Sequence, residues 1–179
     1  MLVIKLPGKD KEDKIELKPV SWETDFSVWK MLQEIGKGEN GFHNEAYGKS
    51  PSEFCKYIKK LITWSNGENM EIHLKKQTTY FLYFNQEPVG IGKLRVYHSE
   101  AERHREGDVS YTIRPGFRRR GLGKKILQKL LIVAWKNGLN DVILTCDCYN
   151  QASRNIIEAN KGLLDKIEQR ICFYRIKLR

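Results

Sequence analysis

The chain has 179 residues, 40% of them hydrophobic and 30% charged, a balance that suits one soluble globular domain with a substantial core over residues 1–179. No apolar run approaches the ~20 residues of a membrane span, and the stretch from Met1 to Lys11 is too charged for a signal peptide, so the expectation is a cytoplasmic protein with no membrane partner. The net charge of +10 and a pI near 9.4 attract polyanions in general; because the lysines are dispersed from Lys5 to Lys177, charge alone does not choose between a small anionic ligand, a nucleic acid and a solvated surface.

In chain order, Met1 to Leu6 and Ile15 to Val20 read as strands. From Ser21 to Ile35, residues Phe26, Trp29, Leu32 and Ile35 recur at helical spacing, and Gly36 to Gly41 ends that helix in a loop. Residues 38 to 44 have no evident part in regular structure; they read equally as a surface connection or as a lip of a substrate site. Ser50-Pro51-Ser52-Glu53 is a capping box with proline at the first helical position, opening a helix with Phe54, Ile58, Leu61 and Ile62 as its apolar stripe. Glu68 to Gln77 is polar and loop-like, while Thr78 to Phe84 and Pro88 to Val96 form an antiparallel hairpin. Tyr97 to Gly107 reads as a charged connection, and Asp108 to Ile113 as the third strand of a meander.

Asp108 to Lys125 then runs from strand through a glycine-bearing loop straight into a helix. Gly121 and Gly123 permit close backbone approach and positive φ, and the free N–H groups opening the helix face the same place with the positive end of its dipole. Such a loop suits a pyrophosphate, with Arg118, Arg119 and Arg120 adding charge, although three arginines beside a turn also read as solvated surface. A nucleoside triphosphatase loop (Gly-x-x-x-x-Gly-Lys-Ser/Thr) and a dinucleotide fingerprint (Gly-x-Gly-x-x-Gly) are both absent. Beyond the loop, Ile126, Leu127, Leu130, Leu131, Ala134 and Trp135 make the helix's inner face, and Asn137-Gly138 ends it. Val142 to Cys146 is a buried strand, Asn150 caps a helix over Ala152 to Asn160, and Arg170 to Leu178 is a last strand. Strand, helix and strand across Val109 to Cys146 make a parallel crossover, so the fold class is a mixed α/β (α+β) one: a twisted mixed sheet with an N-terminal antiparallel meander and flanking helices. Cys55, Cys146, Cys148 and Cys172 lack paired C-x-x-C spacing and the histidines are scattered, so neither a metal site nor a disulfide framework is indicated; Cys146 and Cys148 read as small buried thiols.

The Arg-x-x-Gly-x-Gly pattern at Arg118, Gly121 and Gly123, with its strand before and helix after, resembles the acetyl-CoA-binding signature of the GNAT superfamily of N-acetyltransferases. The order from Thr78 to Leu178 resembles the same family, and Asn150, Ser153 and Gly162 fall on its Asn-x-x-Ser/Ala region. Over its length the chain is also similar to one branch of predicted acetyltransferases, through residues 38–42, 77–80, 88–93 and 111–115. The resemblance implies that acetyl-CoA is the co-substrate, held by Tyr111, Thr112, Ile113, Arg118, Arg119, Arg120, Gly121, Leu122, Gly123, Lys124, Asn150 and Ser153. It implies a backbone N–H near Tyr111 to Ile113 that polarises the thioester carbonyl. Asp108 and Glu106 are candidate bases for the acceptor amine, though either also reads as a surface charge. Acceptor contacts would come from the loops around Asn40, Phe42 and Gln77. Ile157 stands where many of these enzymes carry a proton-donating tyrosine. Tyr149, Tyr174 or solvent could take that part, leaving the general acid unassigned.

The resulting expectation is an acyltransferase (EC 2.3.1.-) moving acetyl from acetyl-CoA directly to a primary amine on a small molecule, peptide or protein. A noncatalytic acyl-CoA sensor is the alternative that the isoleucine favours, and a nucleic-acid-binding protein is one that only charge favours. No nucleic-acid partner is expected, and the edges of a mixed sheet allow a homodimer.

Overall fold

The computed structural model describes residues 13–71 and 74–178, with backbone alone for residues 105 and 106. Its centre is the hairpin of β2 (Leu74–Phe84) and β3 (Glu87–Tyr97), two long strands rich in β-branched and aromatic residues. Two residues join them, Asn85 and Gln86, at φ 49° and 70°. That pair of positive φ angles is what a tight hairpin matched to strand twist requires. β1 (Ile15–Pro19) pairs antiparallel with β2 and β4 (Val109–Ile113) with β3, giving the order β1-β2-β3-β4.

A second sheet has the order β5-β7-β6, all antiparallel, from β5 (Asp141–Asp147), β6 (Leu163–Glu168) and β7 (Ile171–Lys177). Helices α1 (Phe26–Ile35) and α2 (Pro51–Ser65) bury Met31, Leu32, Phe54 and Leu61 on one face of the first sheet, against Phe81 and Ile91. The capping box opening α2 is formed as expected: Ser50 and Glu53 bond reciprocally. On the opposite face, α4 (Leu122–Lys136) presses Ile126, Leu127 and Leu130 into one core that also contains Leu94, Val142, Leu144 and Ile176. One helix thus buries its stripe against both sheets, with α5 (Gln151–Ala159) beside it.

The expected crossover is the unit β4-α4-β5, but its strands share no ladder. They meet where the N–H of Asp108 donates to the carbonyl of Ile143 at 2.8 Å. Beyond that point one edge of β4 has no strand partner among the described residues, and the two sheets part at a seam lined by β4, β5 and α5.

Several segments differ from the sequence expectation. The first helix starts at Phe26 with Asp25 as its cap; Phe26 is exposed, and Val28 and Met31 fill the face instead. The polar run 68–77 is a loop only in part, since Leu74 to Gln77 extend β2. The connection 97–107 contains a short helix, α3 (Glu100–Glu106), opened by a second capping box at Ser99 and Glu102. Leu163 to Glu168, unassigned in the sequence, form β6, whose residues are all exposed. Trp135 is 53% exposed and lies outside the inner face of α4, and Leu131 is only partly buried. The strand expected over Met1 to Leu6 lies outside the described residues.

Candidate active site

β4 ends in a 3-10 turn, Pro115–Phe117, and the chain reverses through Arg119 (φ 63°) and Gly121 (φ 76°) before α4 begins. Gly121 is the N-cap and sits in the left-handed region, where only glycine carries no penalty; no side chain caps the helix. The first-turn N–H groups of α4 therefore keep the positive end of its dipole open, and the sequence holds no acidic residue between Arg114 and Lys136. Gly123 has a different task from the one its spacing suggests. Its φ is not positive, and a Cβ there would come within 2.7 Å of the Ile156 side chain, so it sets how closely α4 approaches α5.

The three arginines divide their work. Arg118 turns back to donate from Nε to the carbonyl of Ile113 at 3.0 Å and pairs with Glu39 at 2.7 Å, tying the 38–44 loop to the end of β4. Arg120 lies 4.9 Å from the centre of the Phe117 ring, with no carboxylate paired to it among the described residues. Arg119 carries the left-handed backbone of the turn. Leu122 is buried in the core beneath the loop, and Lys124 stays largely open to solvent on the first turn of the helix.

Asp108, expected as a base on the strand, is built into the frame instead. It is 1% exposed, Arg103 grips both its oxygens at 2.9 and 2.7 Å, and the N–H of Ile143 donates to Oδ2 at 2.7 Å. Arg103 also reaches Asp141 at 2.8 Å and Glu100 at 2.6 Å, and Asp108 foremost holds its guanidinium well above its ordinary pKa. A carboxylate so enclosed is closed off from an amine arriving through solvent. Glu106, the other candidate, is the last residue of α3, and its side chain lies outside the described residues.

At the second wall, Asn150 caps α5 by accepting from the N–H of Ser153 at 3.1 Å. Ile157, one turn beyond Ser153, is 1% exposed and wholly within the core, so no proton donor stands there. Tyr149 is 75% exposed, with the Arg170 guanidinium 4.8 Å from its ring centre; it faces solvent, not the seam. The Tyr174 hydroxyl is engaged by Arg154 at 3.1 Å and Glu158 at 2.7 Å. On β4, Tyr111 shares a face with Val109 and Ile113 and packs on the α4 core, and its hydroxyl is buried without a hydrogen-bond partner. The Ser153 hydroxyl lies near enough to bias its ionisation yet outside bonding geometry, while burial pushes the phenol pKa well up.

The opposite face of the first sheet is polar where β2, β3 and β4 align. Gln77 pairs across the strands with Arg95, and Thr79 with Lys93 and then Ser110, so these side chains share one face with Thr112. Gln77 is buried and accepts from Arg95 Nε at 3.0 Å. Lys93, 7% exposed, donates to the carbonyl of His43 at 3.3 Å and lies 5.2 Å from the Phe42 ring centre. Phe42 itself is core, Asn40 is exposed at a left-handed turn, and Asn44 anchors the loop by donating to the carbonyls of Leu32 and Gly36. Thr79, Lys93, Arg95 and Ser110 were not singled out from the sequence. For β3 and β4 the signal was there: polar residues at alternate positions, Lys93 and Arg95, then Ser110 and Thr112, among apolar ones.

Cys146 and Cys172 are buried thiols, Cys148 is half-buried and Cys55 is exposed, all four free. Burial, with Cys172 beside it, raises Cys146 to about 11. Native protein treated with iodoacetamide at neutral pH should therefore label Cys55 while sparing Cys146 and Cys172, as peptide mass mapping would read. Among the described residues no group of three or more His, Cys, Asp or Glu side chains could hold a metal ion.

The sequence profile described as the Acetyltransferase (GNAT) family matches residues 42–162, more than half the chain and all of the elements just described from Phe42 to α5. The chain belongs to the GNAT acetyltransferase family. It is accordingly an acyltransferase, and solved GNAT structures share its fold. An acetyltransferase of Salmonella typhimurium that modifies the N-terminal serine of ribosomal protein L7/L12 superposes with a TM-score of 0.67 at 14% identity, over 92% of this chain and 95% of that one. A GNAT acetyltransferase of Streptococcus pneumoniae gives 0.65 at 16% identity, over 93% and 100%. The yncA protein of Salmonella typhimurium, solved with acetyl-CoA, gives 0.61 at 11% identity, over 92% and 94%. No curated protein matches the chain in sequence. No helix among the described residues is long and apolar enough to cross a membrane.

Proposed function

We propose that this GNAT protein, acting as a single catalytic domain over residues 1–179, transfers acetyl from acetyl-CoA directly to a primary amine. The observation that carries the reading is the uncapped, acid-free N-terminus of α4 at the end of a strand with one open edge. The N–H groups from Gly121 to Lys124, with Arg119 and Arg120 beside them, suit a pyrophosphate. The open edge of β4 around Tyr111 to Ile113 suits a chain of amides, which can add to a strand edge by backbone hydrogen bonds, and an N–H there would polarise the thioester carbonyl. Arg118 serves by bracing that edge. Asn150 and Ser153 suit the second wall of the same slot.

The acceptor would approach over the polar face of Gln77, Lys93 and Ser110, beneath the loop carrying Asn40 and Phe42. With Asp108 committed to Arg103, Glu106 or a water it directs is the base this reading retains. Structures of similar fold include an enzyme that acetylates a protein N-terminus, which supports an amine on a peptide or protein as one class of acceptor. Calorimetric titration of the protein with acetyl-CoA should give saturable binding at roughly micromolar strength, about −8 kcal/mol. Thiol release with an amine panel should then give turnover. Binding without turnover on any amine would favour the sensor, and salt-dependent binding to random nucleic acid with none to acetyl-CoA would sink the proposal.

A further inference from the structure

Tyr111 has the one fully buried phenol hydroxyl without a hydrogen-bond partner among the described residues. Leaving such a group unpaired costs stability, and in a folded protein it calls for a reason. Its surroundings suggest one. The ring is held by the α4 core, so the hydroxyl is not free to swing to water. Its strand borders the seam between the sheets, and the Ser153 hydroxyl on α5 and the Cys146 thiol on β5 are near enough to bias the phenol's ionisation. Every other phenol near this wall is engaged or turned away: Tyr174 is bonded to Arg154 and Glu158, and Tyr149 faces solvent. Ile157, one turn from Ser153, offers only methyl groups.

We infer that Tyr111 is the hydrogen-bond and proton donor to the sulfur that leaves acetyl-CoA, supplied from β4 rather than from α5; the inference rests on the acetyl-transfer reading. The amine nitrogen bonds to the acetyl carbon, the C–S bond breaks with its electron pair on sulfur, and the Tyr111 O–H proton passes to that sulfur. The base of the proposed function takes the surplus proton from nitrogen, and the phenolate regains a proton from water that enters the slot once the free thiol has left. The products are the amide and the free thiol of coenzyme A.

Tyr111→Phe tests this, since it keeps the ring and removes only the hydroxyl. Calorimetry with coenzyme A and with desulfo-coenzyme A reads the contact without turnover. The parent should prefer the thiol about tenfold, and the variant should bind both alike. In turnover, kcat should fall on the order of a hundredfold with the KM for acetyl-CoA unchanged. The ligand-free variant should melt a few degrees higher, because an orphan hydroxyl has been deleted. A variant that keeps the parent's thiol preference overturns the inference and leaves acetyl transfer standing. Equal weakening toward both ligands overturns it too, reducing Tyr111 to the shape of the slot. If the parent binds neither ligand, the acetyl-CoA reading fails and takes this inference with it.

Discussion

Asp108→Ala should lower stability by about 3 kcal/mol, because it strips a half-buried guanidinium of its best partner and leaves the Ile143 N–H without an acceptor. For a chain of this size that is a fall in melting temperature on the order of 10 °C, measurable by thermal or urea denaturation. Turnover per folded molecule should survive within a few-fold. A catalytic base predicts the reverse pattern, with stability nearly unchanged and kcat collapsing by orders of magnitude. Arg103 keeps Asp141 and Glu100 in the variant, which limits the loss. Arg103→Ala, which leaves the buried Asp108 carboxylate with only the Ile143 N–H while Asp141 keeps Arg175, should cost at least as much.

Gly121→Asp should weaken acetyl-CoA binding by at least about a hundredfold while leaving the fold intact. A Cβ at this position meets nothing within 4 Å, and aspartate tolerates the left-handed backbone better than most residues. The new carboxylate would also cap α4, taking the first-turn N–H groups for itself. The same donors that suit a pyrophosphate would thus be occupied, and a like charge would face it. One opposing unit charge at about 4 Å is worth about 4 kcal/mol at an effective dielectric near 20, which exceeds the hundredfold loss expected. Unchanged calorimetric affinity in a protein shown folded by circular dichroism would remove the phosphate cradle from the mechanism. Gly121→Ala should lose far less, since it brings strain without charge.

The parts legible in the sequence were those whose causes lie within a few residues. The box at Ser50 and Glu53 opens α2 by contacts three residues apart, and the loop from Arg118 to Gly123 is recognisable because strand, turn and helix adjoin. The box at Ser99 and Glu102 carries the same signal but opens a helix of seven residues, charged on every face, with no apolar stripe to announce it. β6 is hidden for a related reason: a strand exposed along its whole length shows no alternation to read. The setting of Asp108 was not legible because its partners come from α3 and from β5, one before it and one far beyond. The setting of Tyr111 depends on Ser153 and Cys146, which only the packing of α5 and β5 beside β4 brings near.

The unpaired edge of β4 has a thermodynamic corollary. A strand edge left open within a fold is an unfinished sheet, and whatever lies along it completes the architecture as well as the reaction. On the proposed function, donor substrate would be a structural member of the protein, and its free concentration would set how firmly the two sheets hold together. At a hundred times its dissociation constant, the occupant adds about 2.7 kcal/mol to the folded state. Resistance to heat and proteolysis would thus track acetyl-CoA supply, making the abundance of this acetyltransferase a readout of the metabolite it spends.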